Sequence, residues 1–397
     1  MREAVVRERR FAGRTDVAVN EVTVIFDRIG KMLAKGDDII TFHAGEVGFD
    51  TPQFIKDAAY DWLNRGFTHY APTLGYPELK AAIAEKLVKD NNIDADPTNE
   101  IHVTQSAAEG IYITMLALVN PGDEILLPGL SYPALEGCVK MAGGIPVPLP
   151  TREEDDWKAS CADLESHIGP KTKGLVINSP NNPTGEVLTR SDLESIAEVA
   201  KKHDIFVVSD EAYEKLVYDG IKHHSIASLP DMKERTITLF SFSKNYAMTG
   251  WRLGYVVGPE DFINRANVIH QAVMEHVTSH VQMAGLTALK GSQNHVTEMV
   301  QELDRRRRLL VEGLNTTRGI HCKMPKGAFY AFPCIKELGM SSQQFTERLL
   351  EEGKVSVTPG TAFGKCGEGY VRIAYSQRNV DEIKKGLDRI TSVVGKK

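Results

Sequence analysis

The chain has 397 residues, 42% hydrophobic and 25% charged, with a formal net charge of −6. That balance is ordinary for a soluble globular protein and carries no basic footprint for nucleic acid. The length calls for one large domain plus a smaller one.

Residues 1–14 are polar and charged, with no apolar signal core. The most apolar runs, such as residues 113–119, are far too short to span a bilayer, so no membrane partner is expected. Residues 1–20 show no clear period and are expected to form an arm. Val22, Ile25, Phe26, Ile29 and Leu33 fall at helical spacing and predict an amphipathic helix. Residues 38–42 read as a short β-rich run that ends at Gly45. A loop over 45–52 follows, with Thr51 expected as N-cap and Pro52 as the first helical residue.

From there helices and short apolar strands alternate. Residues 52–64, 76–91 and 106–119 read as helices, and 101–104, 124–127, 174–178, 205–209, 236–241 and 254–257 as strands. Their unbroken apolar character suits a sheet covered on both faces. Helical crossovers between them imply a mostly parallel sheet. After about residue 285 the pattern changes to a long charged helix over 295–315. Strand-like pieces follow near 329–332, 355–357 and 370–375, then a helix over 380–394. The expected architecture is α/β. A large domain over 49–287 has helices on both faces of its sheet. A smaller α+β domain over 288–397 is joined by the arm and helix of 1–48. The basic run Arg305-Arg306-Arg307-Arg308 reads as the solvated side of its helix, offset by Glu302 and Asp304. Cys138, Cys161, Cys322, Cys334 and Cys366 are scattered without a C-x-x-C pair. They read as reduced thiols in a cytoplasmic compartment.

Ligands of an open parallel sheet collect beyond the carboxyl ends of its strands. Lys244 follows the strand 236–241, with Ser241, Ser243 and Arg252 available to hold an anion. A lysine beside cationic or desolvating neighbours can lose its proton and act as nucleophile or base. Asp210 ends the strand 205–209 and is followed by Glu211, Ala212 and Tyr213. Asn181-Asn182-Pro183-Thr184-Gly185 makes a turn after 174–178. Ser106-Ala107-Ala108 opens a helix whose backbone N–H groups could bind an anion. Singly these are turns, caps and a surface lysine. Together they describe a cleft for an anionic, aromatic-type cofactor.

From about residue 38 to the C-terminal helix the chain resembles the fold-type I pyridoxal phosphate enzymes, specifically the class I/II aminotransferases. The motifs at 70–79, 103–110, 121–124, 131–133, 180–185, 209–213, 241–254, 325–330, 359–364 and 372–375 stand in family order. A P-loop is excluded, because Gly360 to Cys366 is one residue short of that spacing and carries Cys where Ser or Thr is needed. The resemblance implies pyridoxal 5′-phosphate as cofactor. It also implies ping-pong transfer of an amine from an L-amino acid to a 2-oxo acid, with 2-oxoglutarate the expected acceptor.

Residue by residue, Lys244 matches the lysine that bonds the cofactor aldehyde and later moves the substrate proton. Asp210 matches the carboxylate paired with the pyridine nitrogen. Tyr213 and Asn182 match the partners of the ring's phenolic oxygen, and Tyr132 the aromatic stacked on the ring. Ser241, Arg252 and Ser243 match the phosphate ligands, with Ser106, Ala107 and Ala108 at the helix start. Tyr70 matches a tyrosine that reaches the phosphate across a subunit boundary, which implies a homodimer. Arg372 matches the guanidinium that grips the substrate carboxylate, Gly45 a small residue beside it, and Asn182 is expected at the substrate as well as at the cofactor.

Val47-Gly48 stands where the family has Pro-Asp, and Ser106 where it often has glycine. His43 and His276 are expected to be packed or surface residues, and His223-His224 to be loop surface. No metal-ligand spacing is present. The alternatives are a C–S β-lyase or other pyridoxal phosphate chemistry on the same fold, and a non-catalytic regulator. The donor amino acid stays open, although no second substrate arginine is identifiable.

Overall fold

The computed structural model describes Ala12, Thr15 and residues 21–395. The expected arm over 1–20 falls, apart from Ala12 and Thr15, outside the described residues. In chain order the strands are β1 (Ile40–Thr41), β2 (Ile101–Thr104), β3 (Glu124–Pro128), β4 (Ile145–Leu149), β5 (Thr172–Asn178) and β6 (Phe206–Asp210). They continue with β7 (Thr236–Ser241), β8 (Gly254–Val257), β9 (Tyr330–Ala331), β10 (Val355–Ser356), β11 (Thr358–Pro359) and β12 (Val371–Ala374).

Seven of them form the central sheet in the order β2-β8-β7-β6-β5-β3-β4. β8 runs antiparallel to both its neighbours, and the other pairings are parallel. Val176 and Val208 point to one apolar layer, while Leu175, Ile177 and Val207 point to the other. Successive side chains of β5 and β6 are thus buried on opposite faces, as their unbroken apolar sequence requires. β4 was not expected. Its sequence, Ile-Pro-Val-Pro-Leu, carries two prolines, which an edge strand tolerates because it has a neighbour on only one side.

The expected helices form with small shifts: α1 (Glu21–Ala34), α2 (Gln53–Asn64), α3 (Pro77–Lys86) and α4 (Ser106–Leu118). Thr51 does not cap α2. Its hydroxyl donates instead to the Ala247 carbonyl at 2.5 Å and accepts from Trp251 Nε1 at 3.0 Å, tying the start of α2 to the loop after Lys244.

The two chain ends build the smaller unit. β1 pairs in parallel with β10, Ile40 opposite Val355, and β12 lies between β11 and β9 in an antiparallel sheet. Ile29 of α1 packs with Ile39 and Leu350.

The basic run departs from expectation. Arg306 and Arg307 of the helix Asn294–Asn315 are buried, and only Arg305 and Arg308 reach solvent. They sit on the face that carries Leu303, Leu310 and Leu314. Arg307 bonds Asp304 at 2.5 Å, both Asp219 oxygens at 2.9 Å and the Pro325 carbonyl at 2.6 Å, and its guanidinium lies 4.4 Å from the Tyr218 ring centroid. Two carboxylates and a ring face replace the lost water, so a charge read as solvated becomes a tie between distant segments. Arg307→Ala leaves the Pro325 carbonyl without its donor and Asp304 and Asp219 with Arg308 alone, and is expected to lower unfolding free energy by about 1–3 kcal/mol. Arg305→Ala is expected to leave it nearly unchanged. Denaturant unfolding of both variants checks the contrast.

Candidate active site

The carboxyl ends of β5, β6 and β7 open on a cavity of about 400 Å³. Gly45, Ser106, Ala107, Ala108, Tyr132, Asn182, Asp210, Tyr213, Ser241, Ser243, Lys244, Arg252 and Arg372 all line it. Tyr70 does not. It is 83% exposed, with its ring edge-on to His276 at 5.4 Å. Sequence reasoning missed Val22 and Phe26 of α1, Glu46, Ile111, Asn178, Thr249 and Tyr330, which also line the cavity. A larger groove of about 800 Å³ beside α3 holds none of the expected residues.

Lys244 sits on the short helix Phe242–Asn245, which begins where β7 ends. The Ser241 hydroxyl caps that helix by accepting from Ser243 N at 3.1 Å. The Lys244 amine donates to the Gly45 carbonyl at 2.7 Å. Burial, then the Arg372 charge, pulls its pKa down to about 8. Asp210 ends β6. Among the described residues its carboxylate accepts one hydrogen bond, from Ala212 N at 3.2 Å, and has no ion-pair partner. Burial pushes its pKa up to about 6, with Glu211 adding to the rise.

Arg372 comes from β12 and is buried. It donates to Asn182 Oδ1 at 2.9 Å and to the His43 carbonyl at 2.7 Å. Its guanidinium carbon lies 4.6 Å from the ring centroids of both Tyr330 and Phe363. Its Nε is buried without a hydrogen-bond partner. Asn182 is held in turn by Asn178, whose side-chain oxygen accepts from Asn182 N at 2.9 Å. Tyr213 and Tyr330 share a hydrogen bond of 2.7 Å between their hydroxyls.

At the other end of the cavity, α4 begins at Ser106 in a left-handed conformation, φ +75°. Arg252, also left-handed at φ +55°, donates to the Ser106 hydroxyl at 2.5 Å and to the Thr249 carbonyl at 2.7 Å. A Cβ on Gly254 would lie 2.7 Å from both Ala107 N and Ser106 C, so only glycine lets β8 pass this close to the helix start. The start of α4, the Ser106 hydroxyl and the Arg252 guanidinium meet there, and Ser241 and Ser243 line the same cavity. That donor set suits an anion with several oxygens.

His43 is a packed residue. Its Nδ1 is 2.8 Å from Ser356 Oγ, and burial with the Arg372 charge draws its pKa down to about 4. His276 bonds the Val277 carbonyl at 2.9 Å and does not line the cavity. His223 is not loop surface, because its side chain is buried with Nε2 2.8 Å from Glu211 Oε2. Glu211, Glu214 and His223 place three ligand-type atoms within 4.8 Å of one another. The Lys86 ammonium, Asn91 and Ser225 already engage the two carboxylates, so the group reads as a charge network in which only His223 Nδ1 is left without a partner.

A family profile described as aminotransferase class I and II matches residues 37–390. The aspartate aminotransferase of Pyrococcus abyssi is 44% identical over 95% of this chain and 96% of its own length. The aromatic-amino-acid aminotransferase 2 of Thermococcus litoralis is 43% identical, with the same coverages. The crystal structure of the Rhizobium meliloti aspartate aminotransferase superposes with a TM-score of 0.93 at 34% identity, covering 98% of this chain and 99% of that one.

The lowered Lys244 pKa has a direct chemical consequence. Reductive alkylation of Lys244 in cofactor-free protein by a small aldehyde is expected to be half-maximal near pH 8, against a usual lysine value of 10.5. Arg372→Leu removes the cation that lowers it most after burial, so the midpoint should move upward. Peptide mass spectrometry across pH measures both.

Proposed function

The chain belongs to the class I and II aminotransferases and moves an amine between an L-amino acid and a 2-oxo acid, and we propose that it does so with pyridoxal 5′-phosphate held beyond the ends of β6 and β7. The observation that carries this reading is Lys244. It is a buried amine with a lowered pKa, lining one cavity with the Asp210 carboxylate and the Arg372 guanidinium.

The residues present fit the cofactor. The start of α4, Ser241, Ser243 and Arg252 would hold its phosphate. Asp210, buried and without a cation, would hold a proton at the ring nitrogen, since its pKa of about 6 leaves it largely ionised at neutral pH. Tyr132 would cover the ring. Tyr213 and Asn182 would face the phenolic oxygen, with Asn182 Oδ1 committed to Arg372 and its Nδ2 left to donate. When bound, the cofactor supplies an aldehyde for Lys244 and a ring that accepts the electrons of the breaking Cα–H bond.

The chain's own groups do the rest. Arg372 would take the substrate α-carboxylate, its plane fixed by Asn182, His43 O and two rings, beside the backbone of Gly45. Lys244 Nζ, close to half neutral near pH 8, would accept the Cα proton and hand it on. A ping-pong exchange with 2-oxoglutarate as acceptor follows.

Val22, Phe26 and Ile111 make much of the remaining wall apolar, beside Glu46 and Thr249, and among the described residues the cations lining the cavity are Lys244, Arg252 and Arg372, each already assigned. An aromatic or other apolar donor is therefore favoured. A homodimer, with Tyr70 reaching the partner's phosphate site, is supported by the exposure of Tyr70 together with nearby Met274 and Val273. The apolar layers on the two sheet faces support a large domain over 49–287, and the cluster around Leu303, Phe345 and Ile383, which also takes in Ile40 and Phe42, supports a small one over 288–397 joined by 1–48, with Tyr213, Leu216 and Tyr218 packed across the boundary. Five free cysteines support a cytoplasmic location. No helix among the described residues is long and apolar enough to cross a membrane.

Mixing holoenzyme with one amino acid and no acceptor tests the reading, because the cofactor absorbance should change in a single half-reaction. Aromatic donors are expected to exceed aspartate by at least ~10-fold in kcat/KM, and a preference for aspartate would overturn the donor assignment. Arg372→Lys is expected to raise the donor KM by at least ~10-fold. Cofactor retention should change little. Equal loss of both would remove Arg372 from the substrate site.

A further inference from the structure

We propose that Tyr330 is a positioning residue: it aims the Tyr213 proton into the cavity and fixes the Arg372 guanidinium, coupling the cofactor end of the site to the substrate end. The inference rests on the pyridoxal phosphate reading above and goes beyond it.

Tyr330 opens β9, whose partner β12 carries Arg372, with Tyr330 opposite Ala374 in the register. The side chain is 1% exposed and touches three parts of the site. Its ring lies 4.6 Å from the Arg372 guanidinium carbon. Its hydroxyl is 2.7 Å from the Tyr213 hydroxyl. A Cβ added at Gly45 would meet that hydroxyl at 2.6 Å, so the absence of a side chain at Gly45 is what admits it. The Gly45 carbonyl in turn accepts from Lys244 at 2.7 Å.

The direction of the Tyr213–Tyr330 bond carries the consequence. Each hydroxyl has one proton to give. Burial raises the pKa of both, so both stay protonated at neutral pH. If Tyr213 gave its proton to Tyr330, only a lone pair would face the cavity, and a phenolic oxygen there would be repelled. When Tyr330 gives its proton to Tyr213, the Tyr213 proton is free to point at the ligand. The first bond also polarises the second. A phenylalanine at 330 would keep the ring over Arg372 and lose only the donor.

The test is a pH titration of the bound-cofactor absorbance in purified holoenzyme, with donor KM measured on the same samples. A hydrogen bond to the phenolic oxygen stabilises its negative charge and so lowers the pH midpoint. Tyr213→Phe is expected to raise that midpoint by about one unit, the size of one hydrogen bond. Tyr330→Phe should raise it by about half a unit, with donor KM within ~2-fold of the parent. Tyr330→Leu should raise the midpoint likewise and also increase donor KM by ~5-fold, through loss of the ring over Arg372. If Tyr213→Phe moves the midpoint and Tyr330→Phe does not, the role of Tyr330 is overturned while the cofactor reading stands. If neither moves it, the placement of Tyr213 against the cofactor fails first. Tyr330→Phe decides the matter even if Tyr330→Leu does not fold.

Discussion

Arg372 is a guanidinium 3% exposed with no carboxylate against it among the described residues. Burying such a cation costs several kcal/mol unless its protons and faces are satisfied. Here Asn182 and the His43 carbonyl take two donors, the Tyr330 and Phe363 rings lie against the guanidinium, and Nε stays bare. Much of the surrounding structure serves that one charge. The Asn178–Asn182 turn exists in a form that presents an oxygen. β1 brings the His43 carbonyl up to β12. The same positive potential reaches Lys244 and helps lower its pKa. A site prepared this way holds its positive charge before any ligand arrives, so a carboxylate binds without having to organise its receptor.

The opposite end of the cavity is prepared by the backbone. Ser106 and Arg252 both adopt left-handed conformations, which cost of order 1 kcal/mol or more for residues with a Cβ. Each is locked by the bond between them. Gly254 lets β8 come close enough to make that bond. The antiparallel placement of β8 in an otherwise mostly parallel sheet thus has a local use: it lays the segment after Arg252 against the start of α4.

Much of this was legible in one dimension. Lys244, Asp210 and Asn182 stand at or just after strand ends, and strand ends can be read from unbroken apolar runs. What escaped was set by pairing between distant segments. Tyr330 reaches the site only because β9 pairs with β12, and Phe26 lines it only because α1 packs back against Ile39 and Leu350. Arg306 and Arg307 looked solvated because four arginines in a row carry no period and Glu302 and Asp304 stand close by; the partners that bury them, Asp219 and Ser376, lie far away in the chain. His223 looked exposed for the same reason, with Glu211 twelve residues back across a loop. Prolines hid β4, whose edge position makes them harmless.

The parallel pairing of β1 with β10 has a consequence for how the protein is made. Ile40 meets Val355 across nearly the whole chain, and Arg372 arrives later still. During synthesis the central sheet can assemble, with Lys244 and Asp210 in place, while the segment of residues 43–45 has nothing to pair with. The grip on the substrate carboxylate closes only after the last strands emerge. A ribosome-bound chain would therefore hold the chemistry for a cofactor well before it could recognise an amino acid, and competence would come as a late step with the final stretch of sequence.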